Sequence, residues 1–264
     1  MVEIDLSGKV ALVTGGSGQL GRVIVRTLAR CGADVAIHYH ANGDGATALA
    51  EEIRGMGRRA VAVQADVASL DSVMAMRDVV ASDLGEPDIV VACAVIQYSW
   101  KAVLDQPVED YESQFRSCVM HNVHLAKAFV PAMTRKQWGR YVGINTECIL
   151  QCWPGQSAYV SGKQGMNGFL QTLAKEVGTS GVTVNQVAPG WMISDRYRVP
   201  QTDPEFDRSE KRYAKSLPLG HRGEDIDIAN AVAFFASDLA RFVTGAFLPV
   251  HGGGCVMPPW IAEG

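Results

Sequence analysis

The chain has 264 residues, 47% of them hydrophobic and 20% charged, which is the make-up of one globular unit able to bury a large core. Its formal net charge of −4, with no basic stretch set against it, argues against a nucleic-acid surface. The opening Met-Val-Glu-Ile-Asp-Leu carries acids where a signal peptide carries bases, and no apolar run approaches the roughly 20 residues of a membrane span. The 6 cysteines show no zinc spacing, so the expectation is a reduced cytoplasmic protein with no metal.

In chain order, short apolar runs alternate with longer amphipathic stretches, the pattern of a parallel sheet covered by helices on both faces. Strands are expected near 9–14, 34–39, 60–65, 88–93, 140–145, 182–187 and 246–250. Helices are expected at 19–31, 45–56, 70–84, 109–137, 157–178 and 224–237. The segment from Ile193 to Leu217 is rich in charge and proline and reads as a long irregular loop.

The first strand runs into Gly15-Gly-Ser17-Gly18-Gln19-Leu20-Gly21 and then a helix. That is the context a dinucleotide fingerprint requires, because glycines admit a pyrophosphate to the backbone and the helix start supplies free N–H groups. Further on, Tyr159 and Lys163 stand four residues apart on a predicted helix, with Thr146 thirteen positions before the tyrosine. Residues i and i+4 share a helical face, so an ammonium lies near a phenol and favours its ionised form. Such a tyrosine can serve as a proton donor and acceptor.

The ordered set Thr14-Gly15 with Gly18 and Gly21, Ala65-Asp66-Val67, Asn122, Thr146, Tyr159-x-x-x-Lys163, Asn185 and Pro189-Gly190 resembles the short-chain dehydrogenase/reductase family over nearly the whole chain. Within it the likeness is greatest to 3-oxoacyl-carrier-protein reductases and relatives acting on other ketones and secondary alcohols. The resemblance implies a single-domain Rossmann fold over 1–264, a seven-stranded parallel sheet, a substrate lid about 193–217 and a C-terminal tail 255–264. Homotetramers are usual in the family, and such tails often reach a neighbouring subunit.

By the same resemblance Tyr159 transfers the proton, Lys163 lowers its pKa and holds the nicotinamide ribose, Thr146 bonds the substrate oxygen and Asn122 positions a relay water. The expected cofactor contacts are Gly15, Ser17, Gly18, Gln19, Leu20, Gly21, Tyr39, His40, Asn42, Asp66, Val67, Ala92, Ala94, Tyr159, Lys163, Pro189, Gly190, Met192 and Ser194. No acid follows the second strand, where one would grip the ribose hydroxyls of NAD, so the loop with His40 and Asn42 argues for NADP, with NAD as the alternative. Four departures stand out: Ala92-Cys93-Ala94-Val95 in place of Asn-Asn-Ala-Gly, Gln19 for Gly, Thr146 for Ser and His251 for Asp.

Substrate contacts are expected from Gln97, Tyr98, Trp100, Glu147, Trp153 and Trp191, all just past strand ends, whereas Trp138 precedes a strand and belongs at the opposite end. Three functions follow from the sequence: an NADPH-dependent ketoreductase, an NAD-dependent sugar or polyol dehydrogenase, and a cofactor-binding sensor of low turnover.

Overall fold

The computed structural model describes residues 3–96, 98–193 and 204–255. Seven strands, β1 (Val10–Val13), β2 (Asp34–Tyr39), β3 (Ala60–Gln64), β4 (Ile89–Ala92), β5 (Gly139–Ile144), β6 (Val182–Pro189) and β7 (Phe247–Val250), form one parallel sheet in the order β3-β2-β1-β4-β5-β6-β7. All seven lie where the sequence places them, to within a residue or two at most ends.

Successive side chains of a strand point to opposite faces, and the core divides accordingly. Ala11 and Val13 of β1, with Val35 and Ile37 of β2, face one layer. That layer holds α1 (Gln19–Arg30), α2 (Gly43–Gly55) and α9 (Asp225–Ala236), through Ile24, Leu28, Ile53, Val232 and Phe235. Val10, Leu12 and Ala36 face the other layer, where α3 (Leu70–Asp83), α5 (His121–Lys136) and α7 (Ser157–Val177) bury Met76, Phe129, Met166 and Leu170. Both faces of the sheet are therefore dry, which is why its strands read as near-continuous apolar runs.

Two elements differ from the sequence reading. The stretch expected as one helix over 109–137 is α4 (Val108–Phe115), a π-helical turn (Arg116–Met120) and α5. A turn of this kind is the usual way to re-aim side chains within a long helix, frequently at a functional site. The segment 193–217, expected to be irregular, contains α8 (Pro204–Ser216), and a separate one-turn α6 (Cys148–Gln151) follows β5. Proline suits the first position of a helix, where its missing N–H would have no partner anyway, so Pro204 starts α8 rather than marking a loop. Residues 194–203 of the lid and 256–264 of the tail lie outside the described residues.

The strand order reverses between β1 and β4, and the crevice beyond their carboxyl ends is where ligands of such sheets bind. The loops after β1 and β4 meet there. A Cβ on Gly15, whose φ is +64°, would lie 3.0 Å from the Ala94 Cα.

Candidate active site

The glycine loop is built for close approach. A Cβ on Gly21 would fall 2.1 Å from the Gly15 carbonyl oxygen, so the first turn of α1 packs directly on the loop. Gly18 occupies the position before α1 and offers no side-chain cap, which leaves the helix start to an anion from outside. Gly15, Gly18, Gln19, Leu20, Gly21, His40, Ala94, Pro189 and Gly190 line one groove with Tyr159 and Lys163. Gln19, anomalous as a cofactor residue, has a mechanical explanation: its amide donates to both carboxylate oxygens of buried Asp225, at 3.2 and 3.1 Å, and so fastens α1 to α9.

His38 completes the loop and was not anticipated as a site residue. Its Nδ1 accepts the Gly15 N–H at 2.9 Å and its Nε2 donates to the Ala65 carbonyl at 3.1 Å. Burial lowers its pKa to about 4, so the ring is neutral and can act as that acceptor. Thr14 takes the part of a brace between β1 and β4, its hydroxyl accepting the N–H groups of Cys93 and Ala94 at 2.9 and 3.2 Å. Behind it, His121 faces the Thr14 hydroxyl through Nε2 at 3.1 Å.

Other expected cofactor residues do not reach this groove. Ala92 is buried at the end of β4, where the sheet absorbs it into the core. Asn42 caps α2 by accepting the Gly45 N–H at 3.2 Å and donates to the Ser17 carbonyl at 3.5 Å; it thereby couples Ser17 to α2. Tyr39 packs beside Gly43. Exposed Asp66 makes a local turn with the Ala68 N–H at 2.9 Å, while Ser69 is the cap of α3. The Val67 carbonyl is taken by His124 at 3.0 Å. Met192 lies in the larger cavity described next, and Ser194 and Gln97 lie outside the described residues.

That cavity, about 620 Å³, adjoins the groove and is walled by Tyr98, Trp100, Thr146, Glu147, Trp153, Tyr159, Trp191, Met192 and Tyr213. Its volume suits a small organic molecule. Trp138 is elsewhere, at the amino end of β5, with the Lys9 and Arg140 cations over its ring. The two hollows share one wall formed by Val95, Thr146, Tyr159 and Gly190. Val95 stands where the family carries glycine, and its side chain lines both hollows.

Lys163 is 5% exposed, donates to the Ile144 carbonyl at 2.6 Å and lies 5.8 Å from the Tyr159 ring centroid. The phenol does not have the lowered pKa expected from that neighbour. Burial raises it well above the usual tyrosine range, the Cys148 and Cys118 thiols add to the rise, and the Thr146 hydroxyl only partly offsets it. With the ammonium engaged by the Ile144 carbonyl, Tyr159 is a neutral phenol. The Asn122 amide donates to the Cys118 carbonyl at 2.7 Å and accepts from the Tyr141 hydroxyl at 2.8 Å. Neither bond involves Lys163, so Asn122 braces the π-helical turn against β5.

Two features escaped the sequence because their members are far apart in the chain. Buried Arg222 donates to the Trp191 and Met192 carbonyls at 2.9 and 2.7 Å and pairs with Glu210 of α8, clamping the loop after β6 to α8. Glu147, His251 and Cys255 bring a carboxylate oxygen, a ring nitrogen and a sulfur within 4.8 Å of one another, a grouping that no local cysteine spacing could reveal.

Known proteins agree with this geometry. The family described as enoyl-(acyl carrier protein) reductase matches residues 17–254. The 3-oxoacyl-(acyl-carrier-protein) reductases FabG of Staphylococcus aureus and Pseudomonas aeruginosa are 35% and 36% identical, over 93% and 95% of this chain and 97% and 98% of their own. A blue fluorescent protein from a metagenomic library, solved in complex with NADPH, superposes with a TM-score of 0.84 at 36% identity, covering 95% of this chain and 99% of that one. A gluconate 5-dehydrogenase from Burkholderia cenocepacia, in complex with NADP and tartrate, gives 0.88 at 26% identity, covering 97% and 98%. The chain belongs to the short-chain dehydrogenase/reductase family and is an NAD(P)-dependent oxidoreductase interconverting ketones and secondary alcohols.

Proposed function

We propose that the protein works as an NADPH-dependent reductase of a small ketone. The observation that carries this reading is the shared wall: Thr146 and Tyr159 face a dinucleotide groove on one side and an aromatic cavity on the other. A neutral phenol supports the reductive direction, since a carbonyl needs a proton at oxygen as hydride reaches carbon.

In this mechanism Gly15, Gly18 and Gly21 with the start of α1 hold the pyrophosphate, and Pro189 and Gly190 hold the nicotinamide side. The nicotinamide supplies the hydride. Thr146 bonds the substrate oxygen, Tyr159 delivers the proton, and Lys163, released from the Ile144 carbonyl, holds the ribose and restores the tyrosine proton. Trp153 and Trp191 cover the substrate from solvent.

For NADPH over NADH the support is the acid-free loop after β2, exposed His40 on the groove, and the NADPH and NADP complexes of the two structural relatives. Titration with each reduced cofactor, read by nicotinamide fluorescence, should give tighter binding of NADPH, and His40→Asp should invert the order. A tenfold preference of the unmodified protein for NADH, about 1.4 kcal/mol, contradicts this reading.

A homotetramer in the cytoplasm completes the proposal. Val103, Leu104, Val108 and Phe115 are 61%, 97%, 68% and 51% exposed before and along α4, an apolar surface that suits burial against another copy. Light scattering on the eluted protein tests the assembly.

A further inference from the structure

One end of the large cavity is unlike its aromatic walls. Glu147 directly follows Thr146, is 3% exposed, and still forms part of the cavity lining beside Thr146, Trp191 and Tyr213. Its N–H donates to the Pro189 carbonyl at 3.0 Å, which fixes the backbone. The carboxyl group lies against Gly190 and Gly254, where an added Cβ on either would sit 3.3 Å from Oε2.

Among the described residues, the donors offered to this carboxyl are weak or long. The Tyr213 hydroxyl donates to Oε1 at 3.3 Å, the Cys255 thiol to Oε2 at 3.6 Å, and the Trp191 backbone contributes. Among the described residues no lysine or arginine pairs with it; buried Arg222 is engaged by Glu210 and two carbonyls. An ionised carboxylate has about four acceptor sites, and burial without good donors is unfavourable. Burial accordingly raises the Glu147 pKa, with His251 opposing the rise.

A metal ion is one conceivable occupant of the Glu147, His251 and Cys255 group. The imidazole argues against it. The Gly253 N–H donates to His251 Nδ1 at 3.0 Å, which places the ring proton on Nε2. One ring nitrogen is occupied by a donor and the other is protonated, which leaves no lone pair for a metal.

We infer that Glu147, backed by His251, accepts a hydrogen bond from a hydroxyl group on the carbon next to the reacting one, so that the substrates are small α-hydroxyketones and the matching vicinal diols. Thr146 and Glu147 are consecutive, with Cα atoms about 3.8 Å apart. Both residues line the cavity, so with the threonine hydroxyl on the reacting oxygen the carboxylate addresses a neighbouring substituent. An apolar acyl chain in the same place would leave the carboxylate buried with only these weak donors. In reduction, hydride from NADPH and the Tyr159 proton convert the carbonyl into the second hydroxyl, giving a vicinal diol and NADP+. Glu147 exchanges no net proton and acts as a specificity-determining residue.

This inference rests on the reductase reading, and the test separates the two. The purified protein is assayed with NADPH on two matched pairs, α-hydroxyacetophenone against acetophenone and hydroxyacetone against acetone. The hydroxylated member should be favoured in kcat/KM by at least about 10²-fold, because a site built to bond a hydroxyl rejects the analogue that lacks it. Glu147→Leu should bring that ratio to within a few-fold of unity. Should that variant fail to fold, Glu147→Gln, which keeps the shape, should lower the ratio about tenfold. Equal turnover of both members by the unmodified protein overturns the inference and leaves the reductase reading standing. If NADPH binds but no carbonyl compound is reduced, both fall. Stoichiometric zinc binding that Cys255→Ser abolishes would assign the group to a metal and overturn the inference as well.

Discussion

The Tyr98 hydroxyl accepts the backbone N–H of Tyr159 at 2.8 Å. Tyr159 is the third residue of α7, and the helix has no side-chain cap from Gln156. A residue expected to touch substrate thus also satisfies one of the donors that every helix start leaves open, and it does so on the residue proposed to transfer the proton. Tyr98→Phe should cost about 1 kcal/mol of stability, or about 2–4 °C in Tm, and lower turnover while the NADPH dissociation constant stays within twofold. Full activity at unchanged Tm would show that the bond positions nothing.

Tyr159→Phe should leave NADPH affinity within a few-fold and lower kcat by at least about 10², the typical worth of a general acid. Lys163→Ala should lose both turnover and cofactor affinity, because its ammonium serves the proton path and the ribose. Since burial lifts the Tyr159 pKa above the ordinary value of about 10, alcohol oxidation, which needs the phenolate, should keep rising with pH through the alkaline range. Oxidation that levels off near neutral pH would show that Lys163, once released from the Ile144 carbonyl, lowers the phenol pKa.

Buried histidines set an acid limit on stability. His38 and His121 have folded pKa values lowered to about 4 and about 3, chiefly by burial. In the unfolded chain each takes up a proton near pH 6.5, so the unfolded state binds more protons below that value and stability falls with pH. The contribution is complete above pH 6.5 and is lost as pH drops toward 4. The two rings together should give a slope of about 2.7 kcal/mol per pH unit in that window. Urea unfolding at several pH values measures it, and His38→Asn, which keeps an acceptor for Gly15, should roughly halve the slope. A flat profile from pH 6.5 to 4.5 would rule out the neutral buried rings.

Trp153 and Trp191 are 47% and 44% exposed on the cavity wall, and the Trp191 ring lies 4.9 Å from that of Tyr213 in α8. Replacing either with Ala should raise KM or alter substrate preference and leave the NADPH dissociation constant and Tm nearly intact. Burial of a tryptophan in the core makes its loss cost roughly 3–5 kcal/mol. A large fall in Tm with unchanged KM would therefore make these rings packing elements.

The sequence determined what depends on local pattern. Alternation of apolar runs with amphipathic stretches placed seven strands and the main helices. Glycine spacing after β1 located the dinucleotide loop, and the Tyr159 to Lys163 spacing put both groups on one helical face. The π-helical turn at Arg116–Met120 and the helix begun by Pro204 were not legible, because composition there resembles an ordinary helix and an ordinary loop. Tertiary structure decided the rest. It gave Asn122, Asn42 and Ala92 to bracing, capping and core, since neighbours distant in the chain satisfied their polar groups or covered their surface. It also joined Glu147 to His251 and Cys255 and turned Lys163 toward the Ile144 carbonyl. Spacing tells which groups can share a face of one element; only the packing of strand ends and loops sets which groups lose water together, and that loss fixes their protonation and the ligand they accept.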